Sequence, residues 1–323
     1  MKATAAAHPI QGLVKYHGLR DPERRLPYHD SISVCTTPSR SVTTVAFEAD
    51  RTEDRYVVDG EPVFGRGAER IASVLDLVRD RAGIDARARL ESESNFPTNV
   101  GLGSSASGFA AAAMAATAAA GLDLDRPTVS AIARHGSASA ARSVTGAYSV
   151  LRAGLNDADC RAARLESAID EDVSVIVGLV PAYKETDSAH AEAAESHMFE
   201  ARMAHVQGQL QEATDALRAG DFDRVFQLAE HDSLSLAATT MTGPSGWVYW
   251  RPETLAVFAA VRELREEGVP AYFSTDTGAS VYVNTTSEHA DRVEAAVADC
   301  DVETRRWAVG GPAEVLDADA ALF

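Results

Sequence analysis

The chain has 323 residues, 46% of them hydrophobic, which is enough apolar content for one large or two ordinary cores and too much for an intrinsically disordered protein. Against 48 Asp and Glu stand 30 Lys and Arg, a net charge of −18, whose sign excludes a nucleic-acid partner. Cys35, Cys160 and Cys300 are too scattered for a disulfide framework or a cysteine zinc site, and no apolar run has the length of a membrane span or the layout of a signal peptide, so a cytoplasmic protein with no membrane partner is expected.

Hydrophobic periodicity places the elements in chain order. Strands are predicted at 2–7, 11–17, 31–34, 42–48 and 85–94, and helices at 67–82, 105–120 and 127–135, with a second helix start at 137–142. A continuous apolar strand covers 173–180, after which the composition shifts. The stretch 187–218 reads as helical and strongly charged, followed by a helix at 222–235 and a turn-rich connection at 243–252. A helix at 253–267, strands at 270–275 and 279–284, a helix at 287–298 and a strand at 302–309 complete the pattern. The second half therefore suggests an α+β sandwich of the split βαβ kind, with a boundary near 180.

The segment from Asn95 to Phe109 carries the sharpest chemistry. Gly101, Gly103 and the hydroxyls of Ser104, Ser105 and Ser107 lead from a strand into an alanine-rich helix. That order brings unpaired backbone N–H groups, hydroxyl donors and the positive end of a helix dipole to one point, and such a point attracts phosphate. No Gly-Lys-Ser/Thr follows the glycines, so this is not a Walker A loop, and the spacing differs from the dinucleotide fingerprint. Taken alone, the segment also fits an ordinary turn with Ser104 or Ser105 as N-cap.

Lys2, Lys15 and Lys184 are the only lysines, leaving twenty-seven arginines among the thirty basic residues. An acidic, lysine-poor chain suits concentrated salt, where a short Debye length screens self-repulsion, although GC-rich coding also favours arginine. Lys15 follows an apolar strand-like run and Lys184 stands at the exit of the strand 173–180. A compact ammonium at either place suits an anionic substrate group, or is simply solvated.

Four segments, in order over most of the chain, resemble the GHMP family of small-molecule kinases and, within it, the mevalonate-phosphate decarboxylases. Lys15-Tyr16-His17-Gly18, with Leu26-Pro27 and Ser31-Ile32-Ser33-Val34 after it, is similar to the family's Lys-Tyr-Trp-Gly and Leu-Pro…Ser-Ile/Leu-Ser-Val. The loop beginning at Asn95 is similar to Asn-Phe-Pro-Thr…Gly-Leu-Ala-Ser-Ser-Ala-Ser-Gly-Phe. Ala133-Arg134-His135-Gly136-Ser137-Ala138-Ser139-Ala140-Ala141-Arg142-Ser143 resembles Ala-Arg-x-Gly-Ser-Gly-Ser-Ala-Cys-Arg-Ser. Ser274-Thr275-Asp276-Thr277-Gly278-Ala279 resembles Thr-Phe-Asp-Ala-Gly-Pro.

The resemblance implies an α+β protein of GHMP-kinase fold. Residues 1–180 would form an ATP-binding domain like domain 2 of ribosomal protein S5, and 181–323 a ferredoxin-like α+β sandwich. It implies an enzyme that uses ATP and Mg2+ to phosphorylate the tertiary 3-hydroxyl of a mevalonate phosphate and then eliminates phosphate and CO2. Asp276 would orient or deprotonate that hydroxyl, although an Asp before Thr-Gly is also ordinary turn chemistry. Arg142 would grip the substrate carboxylate with its planar fork. Ser137, Ser139, Tyr16 and Lys184 would hold the substrate, with Lys15 beside Asp276 to keep that acid ionised. Asn95, Gly101, Gly103, Ser104, Ser105 and Ser107 would bind ATP, Ser107 reaching Mg2+ through the nucleotide. Relatives are often homodimers.

Departures from the pattern concern the substrate. Leu19 replaces the second lysine of the family's Lys-Tyr-Trp-Gly-Lys, His17 replaces its tryptophan, and Ile10 stands where an asparagine is usual. Asp187-Ser188-Ala189 stands near the family's Ser-Ser pair. Losing a cation and gaining an acid suits a monophosphate better than a diphosphate. The expected reaction is thus conversion of 5-phosphomevalonate to isopentenyl phosphate, as in archaeal members of the family. The diphosphate substrate and a 3-kinase that stops short of decarboxylation are the alternatives.

Overall fold

The computed structural model describes residues 1–97, 102–182 and 186–323, so the expected site residues Gly101 and Lys184 lie outside the described residues. The chain opens with β1 (Lys2–Ala7), β2 (Ile10–Val14), β3 (Leu19–Asp21), β4 (Leu26–Pro27), β5 (Ser31–Thr37), β6 (Ser41–Glu48), β7 (Arg55–Val58) and β8 (Glu61–Pro62). There follow α1 (Gly65–Ala82), β9 (Arg87–Ser94), α2 (Ser104–Ala119), α3 (Arg126–Gly136), α4 (Ala140–Thr145), β10 (Tyr148–Leu151), β11 (Ala162–Arg164) and β12 (Val173–Leu179). The remainder holds α5 (Thr186–Glu192), α6 (Phe199–Ala219), α7 (Phe222–Met241), α8 (Pro252–Glu266), β13 (Ala271–Ser274), β14 (Val281–Thr286), α9 (Ala290–Ala298), β15 (Glu303–Val309) and β16 (Glu314–Leu316).

One sheet runs β16-β1-β6-β9-β7-β8 and buries Ala5, Val45 and Leu90 against α1 to α4. At the centre of that layer α2 is buried on nearly every side through Ala110–Ala113, Ala115, Ala116 and Ala119. A helix surrounded by neighbours must be apolar all round, and alanine lets each neighbour come close. The second sheet runs β11-β10-β5-β15-β12-β14-β13, with β2 added on β5. Within it Val175 and Val177 of β12 face the core under α6 and α7, while Ile176 faces the core under α8 and α9. Burial on both faces is why β12 reads as an unbroken apolar run.

The last strands return to the first half. Thr37 of β5 pairs with Ala308 of β15, and Thr4 of β1 with Leu316 of β16, so the halves expected on either side of 180 share both sheets. Strand β12, which that boundary leaves with the first half, pairs with β14 and β15. The helix expected over 187–218 is interrupted after α5. There the Ser196 hydroxyl accepts from the Met198 N–H (3.1 Å) and bonds the Thr242 hydroxyl (2.6 Å), a local side-chain bond that competes with helix pairing. The strand expected over 11–17 stops at Val14, because the next N–H turns to a side chain of α7. Among the described residues no helix is long and apolar enough to cross a membrane.

Two histidines from the expected motif region are buried, His17 and His29. Burial, with Arg202 nearby, holds the His29 pKa down to about 4, and burial with His190 nearby holds that of His17 well below the ordinary value. Both stay neutral in the fold at pH values where the unfolded chain takes up protons, so stability rises with pH from about 4 to 6.5 and is lost on acidification. For His29 the full shift is worth about 3 kcal/mol. Denaturant unfolding at stepped pH should follow this slope; a flat profile across that window would contradict it.

Candidate active site

A cleft of ≈ 420 Å³ opens where the end of β2, the start of α2, the corner between α3 and α4 and the turn after β13 converge. It gathers Lys15, Tyr16, Gly103, Ser104, Ser105, Ser137, Ser139, Arg142 and Asp276 on one wall system, although they are spread over most of the sequence.

Lys15 and Asp276 meet over Gly12. A Cβ on that glycine would stand 2.6 Å from Lys15 Cγ and 2.8 Å from Asp276 Oδ1, so the close approach of these side chains requires glycine there. Asp276 follows β13, in a turn closed by Gly278 N–H donating to the Asp276 carbonyl (3.0 Å). The Lys15 ammonium donates to Ser233 Oγ (3.0 Å) and lies 3.6 Å from Asp232 Oδ2. Burial pulls its pKa down, while the carboxylates of Asp232 and Asp276 favour its charged form.

Arg142 lies on α4 with its guanidinium buried, donating to Ser31 Oγ and packed 5.5 Å from the Tyr16 ring centroid. Burial pushes its pKa down, and Tyr16 and Asp276 oppose that effect. Its Nε is buried with no hydrogen-bond partner among the described residues, a donor that an incoming carboxylate would satisfy. Beside it the Tyr16 hydroxyl stands 3.5 Å from Ser139 Oγ, and the Tyr16 ring stacks on His190 at 4.9 Å. The His190 Nδ1 accepts from Gly18 N–H (3.2 Å).

The opposite end of the cleft is the α2 N-terminus. Gly103 caps it with φ 71°, and a Cβ there would press on the Ile10 carbonyl oxygen at 3.0 Å. Ser104 and Ser105 line the wall, and α1 adds Arg66 and Arg70, the latter donating to the Gly136 carbonyl (2.7 Å). Next to this cradle lies a second hollow of ≈ 380 Å³ that shares Ser104 and Ser105 and is walled by Val58, Ile71, Leu90 and Phe109.

Two expected nucleotide ligands sit elsewhere. The Ser107 hydroxyl is fully buried, bonded to Ser41 Oγ (2.7 Å) and donating to the Ser104 carbonyl (3.2 Å), and does not line the cleft. Asn95 accepts from Arg40 N–H (2.8 Å) and donates to the Pro38 carbonyl (3.0 Å), which ties it to a neighbouring loop. Leu19 opens β3 opposite Pro27, also off the cleft wall.

Sequence reasoning missed Arg25, Arg66, Arg70 and His190 on the wall, and Arg202 and Asp232 behind it. The last two had a readable signal. Arg202 follows the buried stripe Phe199, Val206, Leu210 of α6, and Asp232 the stripe Val225, Ala229, Leu236 of α7. Each is a charge at a position where helical period demands an apolar residue.

Comparison with known proteins gives a consistent set. A family model described as diphosphomevalonate decarboxylase-like N-terminal domain matches residues 7–162. The chain is 69% identical to phosphomevalonate decarboxylase of Haloferax volcanii over the full length of both. The solved mevalonate diphosphate decarboxylase from Staphylococcus aureus superposes with a TM-score of 0.93 at 30% identity, covering 98% of each chain. A complex of MDDEF with MVAPP, AMPPCP and magnesium superposes with a TM-score of 0.92 at 27% identity, over 98% of this chain and 99% of that one.

Proposed function

The chain belongs to the diphosphomevalonate decarboxylase-like family of GHMP-type enzymes, and from that premise we infer that it decarboxylates (R)-5-phosphomevalonate in an ATP-dependent reaction giving isopentenyl phosphate, CO2, ADP and phosphate. The observation that carries this reading is the meeting of Asp276 with two buried cations, Lys15 and Arg142, in one cleft that ends at a helix N-terminus.

Asp276 accepts the proton of the substrate 3-hydroxyl or orients that oxygen for attack, and Lys15 keeps the carboxylate ionised. Arg142 binds the substrate carboxylate through its fork and its unpaired Nε. Ser137, Ser139, Tyr16 and His190 surround the substrate's phosphate end. At the other end the α2 N-terminus with Ser104 and Ser105 cradles the nucleotide phosphates, and the apolar hollow beside it takes the base. When bound, ATP with Mg2+ supplies the phosphoryl group that turns the 3-hydroxyl into a leaving group. Phosphate then departs with the C3–O electron pair. The C1–C2 bond pair becomes the new double bond and CO2 is released.

Arg142 favours this outcome over a 3-kinase, which has no need for a buried guanidinium on the carboxylate that is to be lost. Halophily is in keeping with the haloarchaeal relative and with the net charge of −18. The choice between substrates is tested by kcat/KM in concentrated KCl for the monophosphate and the diphosphate. The monophosphate should be preferred by about tenfold or more, the worth of one lost charge-assisted contact; preference for the diphosphate would transfer the chain to the alternative reaction.

A further inference from the structure

Lys15 must stand at one place beside Asp276, yet it lies just beyond β2, where strand pairing no longer holds the backbone. Its peptide is held from the other half of the chain. The Lys15 N–H donates to Asp232 Oδ2 (2.9 Å), and its carbonyl accepts from the Arg202 guanidinium (2.6 Å). The same guanidinium nitrogen reaches Asp232 Oδ1 (2.9 Å), which closes the ring, and the other terminal nitrogen of Arg202 donates to Ser235 Oγ (3.0 Å). Lys15, Asp232 and Arg202 are 4%, 0% and 1% exposed, so no solvent screens these charges.

The charges that face the Lys15 ammonium come from three elements: Asp232 of α7, Arg202 of α6 and Asp276 of the turn after β13. Two cations and the Asp232 anion leave the group one charge positive, and it faces the Asp276 carboxylate, which Arg142 also feels. Asp232 thus offsets a cation that would otherwise make protonation of Lys15 costly, while Arg202 opposes that protonation and fixes the geometry.

We propose that Asp232 and Arg202, neither of which lines the cleft, are positioning residues for phosphoryl transfer, clamping the Lys15 backbone N–H and carbonyl so that its ammonium stands next to Asp276. The proposal rests on the roles given above to Lys15 and Asp276. A pair that served only as structural glue would lower stability and leave kcat of the folded enzyme near that of the wild type. A positioning pair lowers kcat, and its two opposite charges move the Lys15 titration in opposite directions when each is removed.

The test is the kcat–pH profile of the wild type, Lys15→Met, Asp232→Asn, Arg202→Met and Arg202→Lys. The wild-type profile should have a basic limb that disappears, with most activity, in Lys15→Met. Asp232→Asn should move that limb to lower pH by about one unit or more, and Arg202→Met should move it to higher pH. Both should lower kcat about tenfold or more with KM for phosphomevalonate within about threefold, since neither touches the substrate. Arg202→Lys, which keeps the charge and loses the fork, should leave the limb in place and recover part of kcat. If Asp232→Asn does not fold, the sign of the Arg202→Met shift decides. Limbs that stay put, or move in one direction in both folded variants, overturn the positioning role. A fully active Lys15→Met would instead overturn the role of Lys15 and this inference with it.

Discussion

Asp276→Asn is expected to lower kcat by roughly 10²–10⁴-fold while binding of the mevalonate phosphate stays within a few-fold. Asparagine fills the same space and can still hydrogen-bond, but it cannot take the proton of the 3-hydroxyl or balance Lys15 and Arg142, both of which feel the Asp276 charge. What is lost is an interaction made mainly in the transition state. Steady-state kinetics with calorimetric binding in the absence of nucleotide separate the two quantities. Turnover near that of the wild type would reject a catalytic Asp276, and loss of binding alone would make it a substrate ligand.

Gly12→Ala should be nearly as damaging, although it introduces only a methyl group. That methyl would stand under 3 Å from both Lys15 Cγ and Asp276 Oδ1, so at least one of them must shift. A displacement of about 1 Å at reacting groups costs on the order of 100-fold in rate. Thermal unfolding should change far less than kcat, because the strand and its pairing with β5 remain. Gly208→Ala is the matched control: nothing lies within 4 Å of its added Cβ, and the site is on an exposed turn of α6. It should leave kcat unchanged and raise stability by up to about 1 kcal/mol, the helix preference of alanine over glycine. Equal activity of Gly12→Ala and Gly208→Ala would refute the packing account.

Much of the cleft lining was legible in the sequence because its residues sit in compact segments along the chain. Lys15, Arg142 and Asp276, distant in sequence, do meet, and the glycine–serine loop does end in the helix start that Gly103 requires. A motif does not tell which of its hydroxyls faces the cleft. Ser104 and Ser105 do, whereas Ser107 turns into a cluster with Ser41. Nor does local periodicity reveal partners supplied by another helix, which is why Asp232 and Arg202 escaped notice although each breaks an apolar stripe. Strand β16 is set by pairing with the distant β1, while β3, β4 and β8 are two- or three-residue pieces of local hairpins, and none of them carries much local signal. The long elements α2 and β12 were plain for the opposite reason, since burial on all sides writes itself into composition.

The central claim is that this cleft couples phosphoryl transfer to decarboxylation of a monophosphorylated mevalonate. The most direct measurement incubates the protein in concentrated KCl with ATP, Mg2+ and (R)-5-phosphomevalonate labelled at the carboxyl carbon, and follows ADP and labelled CO2 together. Equimolar ADP and CO2 with isopentenyl phosphate as product is the predicted result. ADP formed without CO2, or turnover of the diphosphate alone, would contradict it.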